Sequence, residues 1–203
     1  MTNLSHVTRF GLPGIDRIPF GMHACHFYNN REELLGALVP YFIAGLRGNE
    51  RCLWVTASPL PAREAHQALQ GAGVDDAIQA GALLVLDFDQ WYANSAGPKG
   101  NDVVELWLKE EARALAEGFN GLRIAGNTSF LKPDDWSTFI EYEQTVSSHF
   151  KNRRIVALCS YLLAKCNDQQ MSEVVHAHQW ALQSPDVGDK WVAQFPSQFK
   201  GRL

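Results

Sequence analysis

Much of the chemical capacity of this chain sits in one short apolar run, Met22 to Tyr28, which holds His23, Cys25 and His26. Imidazole and thiol are the side chains that carry protons, attack electrophiles and bind soft metals near neutral pH. If the run is a strand, His23 and Cys25 share one face and His26 lies on the other. Cys159, from a second apolar run, could join His23 and Cys25 as a soft N/S metal set, although no fixed ligand spacing repeats. The plainest alternative makes the cysteines small buried hydrophobes and lets the histidines bond locally. The preferred reading lies between: a small pocket in which neutral imidazole and thiol groups direct contacts to a small polar head, walled by Phe27, Tyr28, Trp54 or Tyr161.

Other constellations say less. His176 and His178, two apart on an expected helix, lie on different faces and cannot form an i, i+4 metal pair. Asp87 and Asp89 have the spacing of an acid/base pair, but acids at a strand end more often cap loops. The chain has neither G-x-S-x-G nor H-E-x-x-H, which removes two common hydrolase solutions.

The elements that must position these residues are legible from Gly21 to Ala57: a strand, a turn at Asn29-Asn30, an amphipathic helix and a second strand. Asn30 and Glu33 have the spacing of a capping box. Leu34, Leu35, Leu38, Val39, Phe42 and Leu46 make the inward stripe, Gly48 stops the helix, and Pro40 predicts a kink near Gly36–Ala37. Further strands are expected near 82–88, 121–127 and 154–161. Helices are expected at about 62–70, 75–79, 102–117 (capped by Asp102 with Glu105), 133–149 and, capped by Asp168, 168–182; residues 94–101 read as a surface loop. The alternation specifies an α/β fold: an open, mostly parallel, doubly wound sheet of about five strands with helices on both faces. In such sheets ligands sit beyond the carboxyl ends of the strands. Those ends bring together His26, Tyr28, Thr56, Ser58, Asp87, Asp89, Asn127, Thr128, Cys159 and Tyr161.

With 203 residues, 46% hydrophobic and 20% charged, the chain suits one domain with a substantial core. It divides into an N-terminal arm (1–20), the main domain (21–183) and a C-terminal tail (184–203) carrying Trp191, Phe195 and Phe199. The tail either completes this chain's own core or buries in a partner. A net charge of −4 and no basic run argue against direct nucleic-acid binding. Neither a signal peptide nor a membrane-length apolar run is present, so a cytoplasmic protein with no membrane contact is expected. Four irregularly spaced cysteines then read as reduced thiols, and the lack of CxxC argues against a zinc knuckle.

The segments HACHFYNNREELLGALVPYFIAGLRGNERCLWVTASP, GVDDAIQAGALLVLDFDQWY, GFNGLRIAGNTSF, FIEYEQTV and IVALCSYL, with the late His178, resemble the MEDS family, in order over roughly residues 14 to 182. That family takes its name from the sensory domain of DcmR and from related methanogen and methylotroph proteins. The resemblance implies a sensor of simple hydrocarbon derivatives on a degenerate RecA/KaiC-type ATPase fold. Its characteristic positions fall on His23, Cys25, His26, Cys159 and His178. The chain departs from the family pattern at Asn127, where many members carry an acid, at Leu162, where an Asp is often found, and after His178.

An ATPase of that kind needs GxxxxGK[ST] after its first strand, because glycine N–H groups cradle phosphate and the lysine neutralises it. Here the segment is His26-Phe27-Tyr28-Asn29-Asn30-Arg31-Glu32, followed by Glu33. With no glycine, no lysine and two acids at the helix start, the P-loop is lost and ATP should bind weakly or not at all. The expected function is a non-catalytic sensory domain binding a small organic ligand and signalling through protein–protein contact in transcriptional or two-component regulation. The 203 residues leave no room for an output domain beside the sheet, so the partner is a regulator, a kinase or a second copy of the chain. The ligand-binding set expected from topology and resemblance is His23, Cys25, His26, Tyr28, Asn127, Cys159, Tyr161 and His178. No cofactor is expected, though His23, Cys25 and Cys159 leave a metal ion open. The alternative is an enzyme, either a metal-assisted hydrolase or an altered nucleotide-dependent protein.

Overall fold

The structure, a computed structural model, describes residues 7–92, 101–183 and 190–198. The chain opens with a hairpin of β1 (Val7–Leu12) and β2 (Ile15–Pro19). There follow β3 (His23–Tyr28), α1 (Arg31–Arg47), β4 (Arg51–Thr56), α2 (Ala62–Leu69), α3 (Asp75–Gln79), β5 (Leu83–Asp87), α4 (Phe88–Tyr92) and α5 (Asn101–Ala116). The remainder is β6 (Leu122–Asn127), α6 (Trp136–Phe150), β7 (Ile155–Leu162), α7 (Asp168–Ala177), β8 (Trp180–Gln183) and β9 (Val192–Gln194).

The main sheet has the order β5-β4-β6-β7-β3-β8-β9. All neighbours are parallel except β8 with β9. The α/β, mostly parallel sheet is as expected, and β3 is interior, flanked by β7 and β8. The sheet has seven strands rather than about five. The expected last helix ends at Ala177, and Trp180–Gln183 turns back beside β3 as β8. β9 then places part of the tail on the sheet edge. Strands of four and three residues are too short to show a period of two, so their sequence carries no strand signal.

Local chemistry sets the ends of α1. Asn30 Oδ1 accepts from Glu33 N at 2.9 Å, while the Glu33 carboxylate accepts from Asn29 N at 2.8 Å. Gly48 N donates to Ala44 O at 3.0 Å. The helix runs continuously through Pro40. At α7 the cap is Asn167 rather than Asp168, in a capping box with Gln170. The proposed Asp102 cap and the 94–101 loop lie outside the described side chains.

The sheet buries both faces, as parallel sheets do. One face packs Leu34, Leu38 and Phe42 of α1 and Leu69 of α2 against Trp54 and Val156. The other packs Val103 and Trp107 of α5, Phe139 and Val146 of α6 and Val174 of α7 against Val55, Ile124 and Ala157. Among the described residues, no helix is long and apolar enough to cross a membrane.

A buried ion pair ties the hairpin to the first face. Arg123 Nε donates to Glu50 Oε2 at 2.7 Å, both side chains wholly buried. The rest of the guanidinium donates to Phe10 O at 3.1 Å, Tyr41 O at 2.9 Å and Arg9 O at 2.6 Å, and the group lies 4.5 Å from the Tyr41 ring centroid. Thr8 Oγ1 donates to the same carboxylate. Gly45 makes room, since a Cβ there would stand 2.4 Å from Arg123 Nε.

Candidate functional site

Four elements deliver one side chain each to a point beneath the second face. His23 opens β3, Cys159 sits in the middle of β7, Glu143 faces inward from α6, and His178 is the residue that ends α7. Gln179 N donates to His23 O at 3.1 Å, so the end of α7 is fixed against the start of β3. One donor atom from each of the four residues lies within 4.8 Å of the others. Glu143 Oε2 is 3.1 Å from His23 Nε2, 3.4 Å from His178 Nε2 and 3.7 Å from Cys159 Sγ, and His23 Nε2 is 3.4 Å from that sulfur.

The backbone fixes both tautomers. His178 Nδ1 is 2.7 Å from Val174 O, and a carbonyl only accepts, so the proton is on Nδ1. Ser147 Oγ gives its proton to Ala177 O at 2.7 Å, so it accepts from His23 Nδ1 at 2.8 Å. Both Nε2 atoms therefore present lone pairs to Glu143. His178 Nε2 is buried with no hydrogen-bond donor. The other carboxylate oxygen, Oε1, accepts from Tyr161 Oη at 3.0 Å.

Burial holds His23 and His178 down to about 3, aided at His178 by neighbouring His23 and opposed by Glu143. Neither His–Glu contact is thus an ion pair near neutrality. Burial raises the Glu143 carboxyl against the opposing contacts with His178, Tyr161 and Cys159. Cys159 is pushed well above the ordinary thiol range by burial and then by Glu143, and Cys25 is raised by the same causes. A thiol so far from ionisation is a poor nucleophile.

A cavity of about 40 Å³ adjoins the cluster. His23, Glu143, Cys159, Asn127 and Thr128 contribute its polar lining, and Val55, Ile124, Phe130, Phe139 and Val146 its apolar walls. Gly126 also lines it, and a Cβ on that residue would meet nothing within 4 Å. Two or three water molecules, or one very small organic molecule, fill such a space.

The expected site residues divide. His23, Cys159, Tyr161 and His178 come together with Glu143. Cys25 lies beside Cys159 in the parallel register, but its place in the converging set is taken by Glu143 and His178. His26 lies on the opposite face, with Nδ1 3.3 Å from Ser160 Oγ and the ring 5.3 Å from Trp191. Tyr28 and Asn127 are engaged with each other at 2.9 Å, and Asn127 Nδ2 donates to Ala57 O at 3.0 Å. The polar cluster lies under α6 and not beyond the strand ends. At those ends Asp87 caps α2 by accepting from Ala62 N at 3.0 Å, and Ser129 Oγ donates to Ser58 O. At the start of α1, Arg31 pairs with Glu64 at 2.6 Å.

Glu143 is the residue that sequence reasoning missed. Its signal was an acid on the inward stripe of α6, between Phe139 and Val146.

The family model described as MEDS, MEthanogen/methylotroph, DcmR Sensory domain, matches residues 22–179. Among solved structures, a KaiC-like protein from the hyperthermophilic archaeon Pyrococcus horikoshii is similar, with a TM-score of 0.54 at 12% identity over 92% of this chain and 86% of that one. At that identity the likeness is one of fold. No curated protein matches the chain.

Proposed function

The chain belongs to the MEDS family of sensory domains, and from that premise we propose that it senses a very small organic molecule, such as a simple hydrocarbon derivative, in the cytoplasm. The cavity beside Glu143 is the observation that carries this. Its lining from β4, β6 and α6 is mostly apolar, with a few polar groups that include His23, Glu143 and Cys159, the composition that suits a small molecule with an apolar body and one polar head. A bound molecule would press on α6 and, through Glu143 and His23, on His178 at the end of α7. Those helices are the route by which occupancy could alter the surface offered to a regulator, a kinase or a second copy, provided the ligand favours one of two arrangements.

The two raised thiols and the neutral imidazoles support binding over covalent chemistry. Gly126→Val is the test, because Gly126 lines the cavity and its Cβ would enter open space. A panel of small alcohols, amines, thiols and haloalkanes should contain at least one member that raises the melting temperature of the parent. That response should vanish in the variant. A parent that responds to none of them, or a variant that responds equally, rejects the proposal.

A further inference from the structure

The geometry points to a zinc-class divalent ion held by His23 Nε2, His178 Nε2, Glu143 Oε2 and Cys159 Sγ. Two imidazole lone pairs converge on one carboxylate oxygen at 3.1 Å and 3.4 Å, an arrangement of acceptors that repels itself unless a cation or proton lies between. Protons do not resolve it well. The two N–H protons are committed to Ser147 and Val174, so only a proton on Glu143 or Cys159 could serve an Nε2 atom, and His178 Nε2 has no hydrogen-bond partner. A cation resolves all of the contacts at once. Ligand atoms about 2.0–2.3 Å from a tetrahedral zinc stand roughly 3.3–3.7 Å apart. Four of the six pairs are near that spacing, at 3.1 Å for His23 with Glu143, 3.4 Å for His23 with Cys159, 3.4 Å for His178 with Glu143 and 3.7 Å for Cys159 with Glu143, and all six lie within 4.8 Å.

The surroundings fit as well. Metal-bound histidines usually donate the other ring nitrogen to a carbonyl or hydroxyl that fixes the ring, and both do so here. Tyr161 Oη holds the free carboxylate oxygen in the same way. Two nitrogens, one sulfur and one carboxylate oxygen select zinc over the hard ions magnesium and calcium, and the thiolate separates the set from the two-histidine, one-carboxylate iron site. A thiolate and a carboxylate also neutralise a divalent charge within the buried site. The inference rests on donor geometry and not on the sensory reading. Both draw on His23, Glu143 and Cys159, but metal content is measured without any organic molecule, so the failure of one is distinguishable from the failure of the other.

Elemental analysis of the freshly purified full chain should find close to one zinc per chain. Cobalt(II) added after chelation should give tetrahedral d–d bands and a thiolate-to-cobalt charge-transfer band. Cys159→Ser should remove the charge-transfer band. His178→Gln and Glu143→Gln should each weaken zinc binding by at least about 100-fold, above the range seen for losing a supporting contact. Cys166→Ser, outside the set, should bind as the parent does. A parent that holds no metal and gives no cobalt spectrum overturns the inference, whatever the variants do. So does iron in place of zinc, or a charge-transfer band that survives Cys159→Ser.

Discussion

Tyr28 Oη donates to Asn127 Oδ1 at 2.9 Å, joining β3 to β6 across the intervening β7. The same oxygen accepts Ser129 N at 3.0 Å, and Lys165 Nζ donates to Ser129 O. The crevice beyond the strand ends, where open α/β sheets seat their ligands, is thus laced by its own hydrogen bonds. At the start of α1, Asn30 and Glu33 satisfy N–H groups that a phosphate would need.

ATP with magnesium, at millimolar concentration, should therefore leave the melting temperature unchanged and give no heat in titration calorimetry. A saturable response abolished by Arg31→Ala would refute this.

Removing one member of the Arg123–Glu50 pair leaves the other buried without its counter-charge, which typically costs about 3–5 kcal/mol. Glu50→Gln should lower the unfolding free energy, read from urea denaturation, by that order and shift the midpoint down accordingly. Limited proteolysis should then cut first between the hairpin and β3, because Thr8 loses its carboxylate acceptor and Arg123, which holds Arg9 O and Phe10 O, loses its counter-charge. An unchanged midpoint would mean that the pair is dispensable.

Two glycines of α1 should respond in opposite directions to alanine. Gly36→Ala meets nothing within 4 Å and should stabilise the protein by up to about 1 kcal/mol, the difference in helix propensity. Gly45→Ala would set a methyl carbon 2.4 Å from Arg123 Nε and 3.0 Å from Cys52 Sγ, so it should destabilise in spite of better propensity. Equal denaturation midpoints for the two variants would contradict the packing described.

Besides the buried His23 and His178, whose shifts run the same way, acid should act through His26. Burial lowers it to about 4 from an ordinary 6.5, and its ring faces Ser160, Tyr28 and Trp191, of which only Tyr28 titrates. Between those values the unfolded chain binds the proton and the folded chain does not. Stability should fall as pH drops through that window, by on the order of 3 kcal/mol at its lower end. His26→Gln, measured by urea denaturation between pH 7 and 4, should flatten the slope. An identical slope would place the acid sensitivity elsewhere.

The sequence carried the sheet's parallel core because its cues are local: Asn30 and Glu33 cap one helix, and apolar runs mark five strands. The site was only half legible. His23 and Cys159 stood out as polar residues within strands, but Glu143 lies 16 residues before Cys159 on another element, and only the fold brings them together. His178 was judged by helix periodicity, yet it is the residue at which α7 stops, and that is what turns it inward. Arg123 and Glu50 are 73 residues apart and gave no local sign of pairing.

The hairpin's grip on Arg123 also bears on where this domain can be cut. A fragment trimmed to the family match, 22–179, would lose Thr8, Arg9 and Phe10, which satisfy the buried guanidinium, together with β8, which shields one side of β3. Its boundaries would follow sequence similarity and not the unit that folds. Such a fragment should express as an aggregation-prone chain with an exposed strand edge, whereas cuts made before Val7 and after Gln198 keep every described contact.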